Sequence, residues 1–221
     1  GEGTIMPLEA LYMGPAYSPS DIAAALENYR DKVEWDIIDP DKTEKHTAGL
    51  LLKGNVIGRL AGKMEWGARS LGNRSLLADG RDLAVVRKLN AAIKMRDFWM
   101  PFAPSIMWER RNDYLINPRD MDAPFMTLAF ASTPLAHQHL RAGLHQYDLT
   151  CRPQLVRKET NPGYHRLLEE WESLSGCGGL LNTSFNLHGE PIVCSPEDAI
   201  KTLLSSEIDD LMLENYWVRK R

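Results

Sequence analysis

The densest run of chemically capable side chains is Lys63-Met64-Glu65-Trp66-Gly67-Ala68-Arg69-Ser70-Leu71-Gly72-Asn73-Arg74-Ser75. Cations, hydroxyls and two glycines gathered in one short stretch are the makings of an anion site. Glycine lets backbone amides approach a phosphate closely, and a guanidinium offers its oxygens a planar fork of donors. No Gly-Lys-Ser/Thr closes the stretch at Walker A spacing, and it holds no dinucleotide fingerprint. A solvated surface loop is the competing reading. A second candidate is Lys94-Met95-Arg96. Cations at i and i+2 point the same way only on an extended backbone, where both could grip one polyphosphate. At a helix end they would instead complement the dipole. The third candidate is Asn182-Thr183-Ser184-Phe185-Asn186, followed by Gly189-Glu190-Pro191. Hydroxyls alternating with amides after an apolar run can hold ribose or phosphate oxygens, although an ordinary turn has the same composition.

Metal chemistry finds little support. His137 and His139 sit two apart with His145 nearby, but no Cys or carboxylate completes a set at ligand spacing, so no metal site is expected. Cys151, Cys177 and Cys194 are odd in number and unclustered, which suits a reducing cytosol better than a disulfide framework. A cytoplasmic location is therefore expected.

Elements must hold these groups in place. The 221 residues carry a formal net charge of −4, with 43% hydrophobic and 25% charged, the balance of a globular chain with a proper core. No apolar run approaches the ~18–20 residues of a membrane span. The acidic start Gly1-Glu2-Gly3-Thr4 has no signal-peptide core. The negative balance makes a dedicated nucleic-acid partner unexpected. Ser18-Pro19-Ser20-Asp21 and Ser195-Pro196-Glu197-Asp198 read as helix starts, each with a serine cap, proline at the first position and acid in the first turn. Helices are also predicted over 42–53, 83–94 and 162–174, and strands over 33–37, 56–60, 101–107, 125–131, 179–181, 211–213 and 216–218. Between 62 and 82 the periodicity disappears, and the reading is a long functional loop outside the core. Strands and helices intermix without a βαβ repeat, so the expected class is mixed α/β with an open sheet.

Taken together these stretches resemble the C-terminal region of the O-carbamoyltransferases of nodulation-factor and antibiotic biosynthesis. The likeness runs through Met64-Glu65-x-Gly67-x-Arg69-x-Leu71-Gly72-Asn73-Arg74-Ser75-x-Leu77-Ala78-Asp79 and Leu89-Asn90-x-x-Ile93-Lys94-x-Arg96. It continues in Pro101-Phe102-Ala103-Pro104-Ser105, Asp148-x-Thr150-x-Arg152-x-Gln154-x-Val156 and Leu181-Asn182-Thr183-Ser184-Phe185-Asn186-x-x-Gly189-Glu190-Pro191. That region in the family is a YrdC-like domain, a twisted open sheet with flanking helices. The resemblance implies that carbamoyl phosphate and ATP, with Mg²⁺, are converted to carbamoyl adenylate. A second, N-terminal transferase domain, where iron is expected, then passes the carbamoyl group to an acceptor hydroxyl. Residues 41–221 would be the YrdC-like domain and 1–40 a lead-in from the transferase domain. The start without Met is then expected to be the beginning of an excised piece.

Residue by residue, the resemblance makes Lys94 and Arg96 the grip on the nucleotide phosphates and makes Thr183, Ser184 and Asn186 phosphate or ribose contacts. Arg69, Arg74 and Arg152 are further phosphate or carbamoyl candidates, with Arg152, Lys94 and Arg96 named catalytic. Glu65 and Asn73 are candidates for orienting the site, Glu65 through an arginine or Mg²⁺. Departures are also visible. The family's Phe-Gly-Pro-Arg-Ala is Trp66-Gly67-Ala68-Arg69-Ser70 here, an arginine before Pro-Phe-Ala-Pro is Met100, and a histidine is Gln146. Met100 and Gln146 favour an alternative, a catalytically weakened module that binds nucleotide or RNA, whereas intact Lys94, Arg96, Ser184 and Asn186 favour the enzyme.

Overall fold

Local rules account for the helices. In α1 (Pro19–Asn28) and α7 (Pro196–Leu204) the serine before the first turn accepts from the N–H of Asp21 or Asp198, and that aspartate returns the bond. Each such capping box is worth about 1 kcal/mol. α6 (Pro162–Ser175) begins where Asn161 Oδ1 accepts from the N–H of Tyr164 and stops at Gly176, whose φ of 75° suits only glycine well. Its stripe of Tyr164, Leu167, Leu168 and Trp171 is wholly buried.

The computed structural model describes residues 8–94 and 101–221. After α1 come β1 (Val33–Ile37), α2 (Thr43–Leu52), β2 (Ile57–Leu60) and β3 (Arg74–Ala78). Next are α3 (Ala84–Leu89), β4 (Ala103–Met107), α4 (Arg111–Tyr114), β5 (Leu115–Ile116), β6 (Ala131–Ser132) and α5 (Pro134–His139). The chain closes with β7 (Gln154–Val156), α6, β8 (Gly179–Ser184), α7, β9 (Asp210–Leu213) and β10 (Tyr216–Lys220). Eight strands form one sheet in the order β1-β10-β9-β2-β3-β8-β4-β7. Its β2–β9 and β4–β7 pairs are parallel and the rest antiparallel, so the sheet is mixed as expected.

Strand alternation splits the core into two layers. Leu76, Leu181 and Leu211 join the buried faces of α1 and α7, while Leu77, Leu180 and Met212 join those of α2 and α6. Among the described residues no helix is long and apolar enough to cross a membrane.

Two sequence expectations need correction. The loop expected over 62–82 contains β3, a strand between β2 and β8 in which all five residues are buried. The strand expected over 125–131 shrinks to β6 and a bridge between Phe130 and Cys151, because Met126 adopts a left-handed φ of 54° that breaks the pleat. Residues on the two sides of the boundary drawn at residue 40 pack together. β1 pairs with β10 in the main sheet, and Ile22, Ala25 and Leu26 of α1 lie in the same core layer as α7. Less drastically, the helix expected to reach Lys94 is α3 followed by a π-helical turn over Asn90–Lys94.

Candidate phosphate-binding site

The loop between β2 and β3 is folded around two buried charges. Glu65 is buried, and its Oε1 accepts the backbone N–H groups of Leu71, Asn73 and Arg74 at 2.7, 2.9 and 3.0 Å. Three amides on one carboxylate oxygen fix the turn that Gly72, at a φ of 110°, makes available. Asn73 ties the turn outward. Its Nδ2 donates to the Lys63 carbonyl at 2.8 Å, and its Oδ1 accepts from Asn161 Nδ2 at 2.9 Å and Arg59 Nη1 at 3.3 Å. Glu65 and Asn73 thus orient loop backbone.

Arg74 corrects a prediction. It is fully buried in β3 and donates to the carbonyls of Pro15, Ala61, Gly62, Asn73 and Cys194 at 2.9–3.3 Å. Burial lowers its pKa below the usual arginine value, although Glu65 pulls the other way. Every guanidinium nitrogen of Arg74 donates to main chain, which places it as a strut under the loop and outside the lining of the cleft described next.

Arg69, by contrast, faces out. Ala68, Arg69 and Ser70 line a small cleft together with Ala103, Met126, Arg152, Asn182, Thr183 and Ser184. Four predicted residues, Arg69, Arg152, Thr183 and Ser184, therefore meet from three distant stretches. Register explains how. β3 pairs Ser75 with Ser184, and β4 pairs Ala103 with Asn182, so the end of β8 lies between the loop before β3 and the start of β4. Arg152 is half-buried and donates from Nη1 to the Met126 carbonyl at 3.3 Å. Ser184 Oγ donates to Asn186 Oδ1 at 2.7 Å, and Asn186 Nδ2 donates to the Glu190 carbonyl at 2.6 Å. Asn186 thus secures the turn after β8.

Beneath the cleft lies a buried amide network. Gln154 Nε2 donates to the Leu71 carbonyl at 2.8 Å, while its Oε1 accepts from Ser105 Oγ at 2.8 Å and Asn182 Nδ2 at 3.2 Å. Tyr12 also donates to Leu71 O, at 2.8 Å, and burial pushes its phenol up to about 12, so it remains a donor at neutral pH. Sequence reasoning assigned Gln154, Ser105 and Tyr12 no role. Gln154 carried a signal: two residues beyond Arg152 on an extended segment, it must share that side of the strand.

Lys94 closes the π-helical turn, and Arg96 lies outside the described residues, as does Met100. Gln146 donates to the Leu144 carbonyl at 3.1 Å. Among the described residues no group of three or more His, Cys, Asp or Glu could hold a metal ion.

An open mixed sheet with helices against both faces is a YrdC-like fold. YciO of Escherichia coli has this fold: it superposes with a TM-score of 0.54 at 18% identity, covering 77% of this chain and 76% of that one. Residues 48–220 match the family model described as carbamoyltransferase C-terminus, and the chain belongs to that family. Nodulation protein NolO of Bradyrhizobium diazoefficiens is 36% identical over 97% of the chain. The 3'-hydroxymethylcephem-O-carbamoyltransferase of Streptomyces clavuligerus is 29% identical over 99%. The chain spans 39% and 41% of the length of these two relatives.

Proposed function

We propose that this domain carries out the activation half of an O-carbamoyl transfer, making carbamoyl adenylate from carbamoyl phosphate and ATP. The observation that carries the reading is the convergence of Arg69 and Arg152 on one small cleft rimmed by Thr183 and Ser184. The atoms balance in two steps. Water cleaves carbamoyl phosphate to carbamate and phosphate. A carbamate oxygen then attacks the α-phosphorus of ATP, and the bond to pyrophosphate breaks. Both steps crowd anionic oxygens together, and fixed guanidinium and hydroxyl donors stabilise that charge as it develops.

Arg69 and Arg152 would neutralise phosphate or carbamate oxygens, and Thr183 and Ser184 would orient them. The cleft is small, so the nucleoside would extend beyond it. Mg²⁺, when bound, neutralises the leaving pyrophosphate. Mg²⁺ commonly arrives with the nucleotide, bound through its phosphates and at most one or two carboxylates. The acceptor hydroxyl and the second domain that would use the adenylate belong to the longer proteins of the family.

The test is pyrophosphate release on adding carbamoyl phosphate to protein with ATP and Mg²⁺. Arg69→Ala and Arg152→Ala should each lower the rate by about a hundredfold to a thousandfold, the usual cost of removing one preorganised charge-stabilising donor. Failure of folded protein to bind ATP, or an undiminished rate in the double variant, would overturn the assignment.

A further inference from the structure

The network under the cleft leaves one polar atom over, and its identity follows from the others. The Leu71 carbonyl can only accept, so the atom of Gln154 that faces it at 2.8 Å must be Nε2. Gln154 Oε1 then points toward Ser105 and Asn182. Facing Gln154 Oε1 at 3.2 Å, Ser105 Oγ at 2.9 Å and the Ser70 carbonyl at 3.3 Å, the amide of Asn182 must present its Nδ2. Flipping it would set oxygen against two acceptors that cannot donate. Its Oδ1 is consequently turned away from the network, and among the described residues it has no hydrogen-bond partner. Asn182 is 1% exposed and lines the same cleft as Arg69 and Arg152. A buried amide oxygen with no protein partner is rare in folded proteins and calls for an explanation.

Met126 lines the same cleft with a left-handed φ of 54°, a conformation uncommon outside glycine, and its carbonyl accepts from Arg152. Residues kept in such conformations cluster at ligand sites. Together these residues describe a small ligand with anionic oxygens for the arginines and an N–H donor for the asparagine.

We propose that Asn182 is the residue that selects a carbamoyl group, its Oδ1 accepting a hydrogen bond from the carbamoyl NH₂. This rests on the activation reading above and adds to it the basis for rejecting acyl phosphates. Acetyl phosphate is the informative probe, because it replaces NH₂ by a methyl group of nearly the same size and keeps every phosphate oxygen. A methyl group would leave Asn182 Oδ1 unsatisfied, whereas NH₂ would satisfy it.

The experiment is calorimetric titration of the protein with inorganic phosphate, acetyl phosphate and carbamoyl phosphate, on the unaltered chain and on Asn182→Ala. The unaltered protein should prefer carbamoyl phosphate to acetyl phosphate by at least about tenfold. In Asn182→Ala that preference should fall to about twofold or less while affinity for inorganic phosphate holds. An equal loss for all three ligands in the variant would mark Asn182 as structural and overturn the inference. The preference in the unaltered protein is decisive even if the variant does not fold. Comparable binding of the two acyl phosphates, with pyrophosphate still released from ATP and carbamoyl phosphate, would refute the role of Asn182 and leave the proposed function standing. Failure of all three ligands to bind would remove both.

Discussion

Replacing Arg74 by alanine separates a strut from a ligand. The side chain is fully buried, and its guanidinium donates to five carbonyl oxygens drawn from residues 15, 61, 62, 73 and 194. Hydrogen bonds from a charged donor are worth about 1.5–3 kcal/mol each in isolation, but five on one group are far from additive. Much of their sum offsets the cost of burying the cation. Truncation leaves those carbonyls facing a cavity, and a net loss of about 3–5 kcal/mol is expected, the scale for breaking a buried ionic cluster. For a chain of this size that corresponds to a melting temperature lower by about 6–20 °C. Arg74→Lys should recover only part of it, since an ammonium group cannot reproduce the planar fork. Urea and thermal unfolding measure the loss, and phosphate titration well below the transition measures the site. The folded variant should bind phosphate within about threefold of the parent, or ~0.7 kcal/mol. A variant within about 1 kcal/mol of parental stability but tenfold weaker in phosphate binding would show that Arg74 belongs to the ligand site.

Gly72→Ala tests the turn that carries Arg69. Gly72 has a φ of 110°, and an added Cβ would lie 2.3 Å from Cδ1 of the buried Tyr164, so a destabilisation of about 3 kcal/mol or more is expected in urea unfolding; a change below about 0.5 kcal/mol would be incompatible with this packing. Asp198→Asn tests the cap of α7 through pH. Burial alone would raise the Asp198 carboxyl, but bonds from the Ser195 N–H and side chain and the Cys194 N–H outweigh it and hold the pKa below the ordinary 3.8. A depressed folded pKa stabilises above the unfolded value and loses that contribution as pH falls through the folded one. The parent should therefore exceed the variant in stability at neutral pH, with the gap closing below about pH 4. A gap unchanged down to about pH 2 would contradict the assigned bonds.

What the sequence made legible, and what it hid, divides along the distance between partners. The helix starts at Ser18, Asn161 and Ser195 could be anticipated because cap and capped amide lie within three residues of each other. β3 could not: a central strand is expected to be apolar, and this one begins Arg74-Ser75. Nothing near Arg74 in sequence announces that carbonyls from residues 15 and 194 will surround it. Arg69, Arg152, Thr183 and Ser184 were individually readable as anion ligands, but their meeting depends on two antiparallel registers that no local pattern encodes. The same limit explains why Arg69 and Arg74, five residues apart, looked alike. Their roles diverge because Glu65 gathers the N–H groups of Leu71, Asn73 and Arg74 while Arg74 gathers carbonyls flanking the same loop. Each buried charge thus satisfies backbone groups of the opposite polarity. With the loop's polar backbone claimed from inside by that pair, the guanidinium of Arg69 remains exposed at the cleft for an anion from outside.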